Sequence, residues 1–145
     1  MTKKQQLIPL TALNKLDSQT VGHDILRYVS LPKLLGQEAE TILYYMGKNL
    51  ARSFDINSLD DVHFIFEKLG WGYLELVKQR KNSLTFSLMA DALARRLQLD
   101  LAKEFRFEAG FLAEAIHLVH QTTCECVEKV NKNIHQVQFK VIFTE

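Results

Sequence analysis

The chain has 145 residues and a formal net charge of +1, with 47% hydrophobic and 24% charged residues. Such a composition is typical of one globular domain with enough chain to bury a core. It excludes the basic surface that nucleic-acid binding needs, and no apolar run approaches the roughly 20 residues of a membrane span. The N-terminus lacks the continuous apolar segment of a signal peptide, so we expect a cytoplasmic protein.

We expect a flexible N-terminal arm over residues 1–18 and a single domain over residues 19–145. The domain begins with a predicted short helix at residues 19–30. Pro32 ends this helix, because the residue before a proline avoids helical dihedral angles. Residues 33–36 then form a connection to the next helix.

Apolar side chains recur at three- and four-residue steps over residues 37–54, which predicts a helix with one core-facing stripe. The stripe consists of Ala39, Ile42, Leu43, Met46, Leu50 and Phe54. Two adjacent tyrosines, Tyr44 and Tyr45, flank it. They could line a ligand cavity, although partly buried rings with hydrated hydroxyl groups are the commoner arrangement.

A third helix is predicted from its two ends. Ser58 and Asp61 have the spacing of a capping box, in which each side chain accepts a hydrogen bond from the other residue's backbone. Gly70 is well placed to end this helix, because glycine readily adopts the left-handed conformation of a C-terminal cap. Between these ends, the core-facing residues are Val62, Ile65, Phe66 and Leu69.

Residues 71–89 predict a β-hairpin, with its turn at residues 80–82. One face of the hairpin is apolar and the other is mixed, as expected for an antiparallel pair that covers a core. The predicted register pairs Leu74 with Leu88, Leu76 with Phe86 and Lys78 with Leu84.

A short helical pattern at residues 91–99 carries two adjacent basic residues, Arg95 and Arg96. The pair could bind an anion. Adjacent residues do not share a helix face, however, so solvated or Glu-paired side chains are the simpler interpretation.

Residues 105–120 predict the helix around which the domain is organised. Its apolar face is wider than a surface helix needs and consists of Phe105, Ala109, Leu112, Ile116 and Val119 on one seam and Phe111, Ala115 and Leu118 on the next. A narrow polar strip is predicted at Arg106, Gly110, Glu114 and His117. One seam fits a sheet, and the other needs a partner, either the helix at residues 37–54 or a second subunit. Gly110 and Ala113 permit a close helix approach at that edge.

Alternating residues predict a second hairpin at the C-terminus, with Val137, Phe139, Val141 and Phe143 on one face. A tight turn at residues 132 and 133 places Cys126 opposite Phe139 and Cys124 opposite Val141. The two cysteines could be half of a metal site or a redox pair. No second cysteine pair exists, and the spacing is not that of a zinc or thioredoxin motif. We interpret both as reduced core residues.

The order of these elements predicts an α+β domain. Two hairpins most simply form a four-stranded antiparallel sheet, with the helices layered on it.

Four segments in order carry a family resemblance. They read L-P-K-L-L-G at residues 31–36, E-T-I-L-Y-Y-M-G-K-N-L-A-R at residues 40–52, G-W-G at residues 70–72 and F-E-A-G-F-L-A-E at residues 107–114. This set resembles the YslB-like family of short, uncharacterised bacterial proteins. The resemblance covers residues 21–143, and it implies a fold more than an activity because the family's function is itself unknown.

More remotely, the G-F-L-A segment at residues 110–113 with its following hairpin resembles the vinyl-reductase-type ligand-binding domain, whose fold is shared with the TRAPP vesicle-tethering subunits. This resemblance implies an α+β domain, often dimeric through its helices, that can hold a hydrophobic ligand or an acyl chain. This sequence departs from the cysteine pattern of those domains, so the resemblance does not extend to a metal or cysteine-dependent site. Val137 stands at the first position of the C-x-F pattern that closes the hairpin of those domains, and no cysteine matches an acylation site.

The surplus of apolar helix surface over one small sheet favours a non-enzymatic binding or assembly domain, a homodimer through its helix surfaces. A pocket between helices and sheet would take a small apolar ligand. The candidate ligand-binding residues are Glu108, Phe111, Trp71, Tyr44 and Tyr45.

Glu108 projects into the apolar arc of its helix and has two interpretations. In the first turn of a helix, a carboxylate is stabilised by the helix dipole. Alternatively, it is a buried functional carboxylate with a raised pKa that anchors a ligand.

An enzyme is the alternative function. Glu108 and Glu114 would be its acid and base, or His117 and His120 would be its base or metal ligands. No third metal ligand of matching quality is evident, and the sequence has no phosphate loop, nucleophile elbow or H-E-x-x-H pattern. We therefore predict no catalytic residue, metal or cofactor.

Overall fold

The computed structural model describes residues 10–13, 21–90, 97 and 104–144. It confirms the predicted α+β class, because helices pack against a four-stranded antiparallel sheet. The strands, numbered along the chain, lie in the order first, second, fourth and third. Within the described ranges, no helix is long and apolar enough to cross a membrane. Most of the predicted N-terminal arm and the Arg95–Arg96 pair lie outside the described residues, and the predicted domain boundary stays a prediction.

The elements follow one another as helices, a hairpin, the central helix and a second hairpin. The helices are α1 (Leu10–Leu13), α2 (Val21–Ile25), a π turn (Leu26–Ser30), α3 (Leu31–Leu35), a 3-10 turn (Gly36–Glu38), α4 (Ala39–Ala51), α5 (Leu59–Lys68) and α6 (Arg106–His120). The strands are β1 (Tyr73–Gln79), β2 (Ser83–Met89), β3 (Cys124–Asn131) and β4 (Gln136–Phe143).

The chain stays helical through Pro32, so the predicted helix end and the predicted connection at residues 33–36 are wrong. The backbone N–H of Leu31 donates to the carbonyl of Leu26, five residues earlier, which makes a widened π turn just before the proline. A proline ring in a regular helix clashes with the carbonyl four residues back and lacks an N–H to donate. The widened turn accommodates both defects. The helix ends instead at Gly36, whose φ of 71° favours glycine.

The predicted capping box is confirmed. The Ser58 hydroxyl accepts a hydrogen bond from the backbone N–H of Asp61, and the Asp61 carboxylate accepts one from the backbone N–H of Ser58. Gly70 follows the end of α5 with a φ of 77°, as predicted for the cap.

The first hairpin has the predicted register only near its open end. Leu74 lies opposite Leu88, and Leu76 lies opposite Phe86. A bulge between Leu76 and Lys78 then shifts the pairing by one residue, so that Lys78 lies opposite Thr85. The prediction that Lys78 faces Leu84 is therefore wrong, because the bulge places two residues of one strand against one of the other.

The second hairpin is displaced by two residues from the predicted register. Asn131 lies opposite Gln136, so the loop has four residues and not the predicted two. Cys124 consequently faces Phe143, and Cys126 faces Val141. Because side chains alternate along a strand, a shift of two leaves both cysteines on the buried face. Their predicted place in the core is confirmed.

The core lies between α6 and the inner face of the sheet. The sheet contributes Leu74, Leu84, Phe86, Leu88, Val137, Phe139 and Val141, all buried. They form one continuous cluster with the buried side of α6 and with Val62, Ile65 and Phe66 of α5.

Helices α4 and α6 approach each other backbone to backbone. A Cβ atom on Gly110 would lie 1.9 Å from the carbonyl oxygen of Tyr44, and one on Gly47 would lie 2.0 Å from the carbonyl oxygen of Phe107. Neither position therefore has room for a side chain. This contact identifies α4 of the same chain as the partner of the second seam of α6, one of the two partners predicted.

The same contact corrects two predicted faces. The buried residues of α4 are Ala39, Leu43, Tyr44, Gly47 and Ala51, whereas Ile42, Met46 and Phe54 of the predicted stripe are each more than a third exposed. On α6, Gly110 and Glu114 of the predicted polar strip are buried. Each helix is turned so that its glycine faces the other, and a count of apolar side chains does not reveal this because glycine has none.

The glycine contact gives a direct test of the fold. We expect Gly47→Ala and Gly110→Ala each to lower the free energy of unfolding by about 3 kcal/mol or more, because the added Cβ meets backbone that cannot move aside. Gly22→Ala is the control, since nothing lies within 4 Å of its Cβ position. It should leave stability unchanged or raise it by up to about 1 kcal/mol. Urea unfolding followed by circular dichroism measures all three, and equal stabilities would contradict the close approach.

Candidate functional site

A pocket of about 280 Å³ lies beside the start of α6. The helical segment that includes the π turn forms one wall, and the chain around Trp71 forms another. The lining residues are His23, Asp24, Arg27, Tyr28, Leu50, Leu69, Gly70, Trp71, Phe107 and Glu108. The lining surface is mostly apolar, and the polar groups come from α2, the π turn and α6.

A buried ion cluster forms the polar part of this pocket. The Arg27 guanidinium donates from Nη1 and Nη2 to Glu104 at 2.7 and 3.0 Å. It also donates from Nη2 and Nε to Glu108 at 2.8 and 3.3 Å. The Glu108 side chain is 1% exposed, and the other two are below 20%. We call these three residues the Arg27 triad.

Local structure explains how the triad is assembled. His23, Asp24, Arg27 and Tyr28 stand at helical spacing and so share one side of their segment. Across the pocket, the Glu104 carboxylate accepts a hydrogen bond of 2.9 Å from the backbone N–H of Arg106, the first residue of α6. This N–H has no partner within the helix, so a carboxylate there is favourable.

The position of Glu108 agrees with both of its interpretations, as a carboxylate at the start of a helix and as a buried carboxylate. It lies in the first turn of α6, and it is also fully buried beside the pocket. Burial raises the pKa of the Glu108 carboxyl above its usual value, and the Arg27 guanidinium opposes this rise. Burial alone would lower the pKa of Arg27. Glu108 and Glu104 outweigh that effect, so the pKa of Arg27 is raised and the guanidinium stays charged.

An aromatic cluster forms the opposite wall of the pocket. The Trp71 ring packs edge to face against Phe66, Phe111 and Phe107, at centroid distances of 5.0, 5.2 and 5.7 Å. On the triad side, the guanidinium carbon of Arg27 lies 4.8 Å from the centroid of the Tyr28 ring and 5.8 Å from that of Phe107. The pocket therefore places aromatic faces and charged groups within a few ångströms of each other.

The structure brings together some of the predicted ligand-binding residues. Trp71 and Glu108 line the pocket, and Phe111 is buried directly behind Trp71. Tyr44 and Tyr45 are not among the lining residues. The Tyr44 hydroxyl donates to Glu125 and accepts a hydrogen bond of 3.0 Å from the backbone N–H of Cys126, while Tyr45 is 59% exposed. Ligand binding by any of the five stays a prediction.

Sequence reasoning missed Arg27 and its neighbours on the π turn. The available signal was the helical spacing of His23, Asp24, Arg27 and Tyr28, four polar or amphipathic residues on one side of a segment. The partners of Arg27 lie 77 and 81 residues further along the chain, so no local pattern relates them.

The residues of the enzyme alternative do not form one cluster, because Glu114 lies beside His117 whereas Glu108 belongs to the Arg27 triad. The Glu114 carboxylate is 3.3 Å from Nε of Arg52 and 3.4 Å from Nδ1 of His117, away from the Arg27 triad. The exposed His120 packs its ring against Phe143. Nowhere in the described part of the chain do three His, Cys, Asp or Glu side chains gather as a metal ion would require.

Both cysteines have the properties of unreactive core thiols. Cys124 and Cys126 are free and buried. The Cys124 thiol donates to the carbonyl of Ala113 at 3.1 Å. Burial raises the pKa of Cys124 to about 11 and that of Cys126 well above its usual value, so little thiolate forms at neutral pH.

Comparison with solved structures defines the class of this fold. A vinyl-4-reductase family protein from Methanocaldococcus jannaschii superimposes with a TM-score of 0.62 over 100% of this chain and 99% of its own, at 18% sequence identity. The two chains therefore share an α+β fold, and at this identity the likeness extends to the fold alone.

The family follows from the sequence match. Residues 20–142 match the family described as a protein of unknown function, DUF2507. The uncharacterised protein YslB of Bacillus subtilis is 33% identical over 129 residues, which cover 89% of this chain and 87% of YslB. The uncharacterised protein MJ1642 of Methanocaldococcus jannaschii is 28% identical over 105 residues, or 72% of this chain and 63% of MJ1642. This chain belongs to the DUF2507 family, which confirms the YslB-like resemblance.

The Arg27 triad yields a stability prediction. We expect Arg27→Met to lower the free energy of unfolding by about 3–5 kcal/mol, because it leaves the buried Glu108 and its neighbour Glu104 without their cation. Adding Glu104→Gln and Glu108→Gln should recover most of that loss, because the three charges are then removed together. Urea unfolding measures both variants.

Lys48→Met is the matched control. Lys48 pairs with Glu125 at 2.8 Å, but the Glu125 side chain is 54% exposed and stays hydrated when its partner is lost. Its removal should cost at most about 1 kcal/mol. A triple variant no more stable than Arg27→Met would show that packing of the arginine stem, and not charge balance, sets the loss.

Proposed function

We propose that this protein is a non-enzymatic binding protein for a small, largely apolar molecule held in the pocket beside α6. The observation that carries the proposal is the pocket itself. Its volume of about 280 Å³ is near the lower end of the roughly 300–1,000 Å³ typical of small-molecule sites. Its wall combines aliphatic and aromatic side chains with a few buried polar groups, which is the usual composition of such sites.

The arrangement of ionisable groups supports binding over catalysis. Glu108 and Glu114 belong to separate ion clusters, so they do not face one cavity as an acid and a base would. Glu108 is held by two hydrogen bonds to Arg27. The likeness to a protein with reductase in its family name does not add an activity, because function belongs to sites and not to folds.

The proposal includes a cytoplasmic location. Cys124 and Cys126 are both free thiols, and they lie on one strand within the core. Free thiols are the normal state of cysteines in a reducing compartment. The two free thiols therefore support the proposed cytoplasmic location.

Trp71 allows a site-specific test, since it is the only tryptophan of the chain and it lines the pocket. We expect the neutral fluorescent probe N-phenyl-1-naphthylamine to bind and to receive excitation energy from Trp71. Leu50→Phe adds volume at the pocket wall and should weaken this binding at least tenfold. Leu34→Phe, at a position that is 81% exposed, should have no effect. Absence of energy transfer, or equal binding by both variants, would contradict the proposed site.

We further propose that the protein forms a homodimer through the outer face of α4. Three exposed apolar residues at helical spacing, Ile42, Tyr45 and Met46, form the centre of this face. The exposed Glu38 comes directly before α4, and the exposed Arg52 comes directly after it. Two copies crossing in antiparallel orientation would place each glutamate near the arginine of the other copy. Such a face is self-complementary, as a twofold interface requires.

Native mass spectrometry tests the dimer and also detects any small molecule that remains bound after purification. We expect a dimer for the unmodified protein and a monomer for Met46→Glu, which places a charge at the centre of the interface. Phe64→Glu is the control, because Phe64 is an apolar residue on α5 that is 59% exposed, more than the 37% of Met46. A dimer that survives Met46→Glu but not Phe64→Glu would move the interface to α5.

A further inference from the structure

We infer that the pocket selects an organic cation, a molecule with an apolar body and a protonated amine or similar head group that lies against Glu108. This inference deepens the proposed function and rests on it. It concerns the charge of the ligand, which the volume and the apolar wall leave undetermined.

The first argument is the charge balance of the Arg27 triad. Two carboxylates surround one guanidinium, so the triad has an excess negative charge. Asp24, a further carboxylate, is 4% exposed and lines the same pocket. An anionic ligand would enter against the two carboxylates of the triad, whereas a cation would compensate their excess charge.

The second argument is that most of the N–H groups of Arg27 are already occupied, whereas Glu108 can still accept hydrogen bonds. An arginine has five N–H groups, and four of those of Arg27 already donate to Glu104 and Glu108. A ligand carboxylate would therefore find little of the guanidinium free to receive it. Each carboxylate has about four acceptor positions, and Arg27 occupies two of those on Glu108. This side of the pocket can therefore accept hydrogen bonds from a ligand that carries donors, such as an ammonium group.

The third argument is the aromatic lining next to these groups. Tyr28, Trp71 and Phe107 all line the pocket. The faces of aromatic rings attract cations, most strongly where water is excluded. Arg27 illustrates this preference, because its guanidinium already lies over the rings of Tyr28 and Phe107. The same surfaces that accept an apolar body thus also favour a positive charge on it.

Three matched ligands test the inference on the full-length protein. They share a phenyl body and differ in charge: 2-phenylethylamine is a cation at pH 7, 2-phenylethanol is neutral and 3-phenylpropanoate is an anion. Titration followed by Trp71 fluorescence should show the amine binding at least tenfold more tightly than the alcohol, and the carboxylate binding most weakly. An alcohol or carboxylate that binds as tightly as the amine would overturn the inference and leave the proposed function standing.

Variants then locate the selectivity. Glu108→Gln should reduce the preference for amine over alcohol at least threefold, whereas Glu75→Gln, at an exposed position of β1, should preserve it. Asp24→Asn gives the same test if the Glu108 variant fails to fold. An unchanged preference in the pocket variant overturns the assignment to this site. If neither the three ligands nor N-phenyl-1-naphthylamine binds, the proposed function fails and the inference fails with it.

Discussion

The close approach of α4 and α6 at Gly47 and Gly110 is the constraint on which the arrangement of this domain depends. It brings two helix backbones together where no side chain fits, and it thereby fixes the rotation of both helices. With α4 turned in this way, Tyr44 faces the core and Leu50 reaches the pocket wall. The remaining face of α4, which includes Ile42 and Met46, faces solvent. The two glycines thus determine which residues of α4 face the core, the pocket and the outer surface.

The parts of the fold that could be predicted are those encoded by neighbouring residues. The capping box at Ser58 depends on a three-residue spacing, and the buried faces of the strands depend on simple alternation. The exact pairing could not be predicted. A bulge after Leu76 and the four-residue loop at residues 132–135 change the register without changing which residues are apolar. Pro32 was misjudged because a π turn accommodates it, and no residue pattern indicated that turn.

The residues of the candidate site also differ in whether the local sequence or only the tertiary fold reveals them. Trp71 and Glu108 could be proposed from sequence, because an isolated tryptophan between glycines and a carboxylate in an apolar arc are both unusual for their surroundings. Arg27 could not, since its role comes from partners brought near only by the tertiary fold. Tyr44 was selected for its aromatic ring, but its hydroxyl is occupied by Glu125 and by the backbone of Cys126. Composition indicates which groups are available, and topology decides which of them meet.

The two walls of the pocket differ in how they are attached to the rest of the protein. The wall at Trp71 belongs to an aromatic cluster continuous with the core. Asp24 is the one buried side chain of residues 21–35, and this segment is joined to α6 by the ion pairs of Arg27. Detaching the segment breaks these ion pairs and the ring contact of Tyr28 with Phe105, but it leaves α6 packed on the sheet. It therefore requires less free energy than global unfolding. If the pocket binds a ligand as proposed, this segment is the wall that opens at the lowest cost in free energy, and its opening rate would limit how fast the ligand enters and leaves.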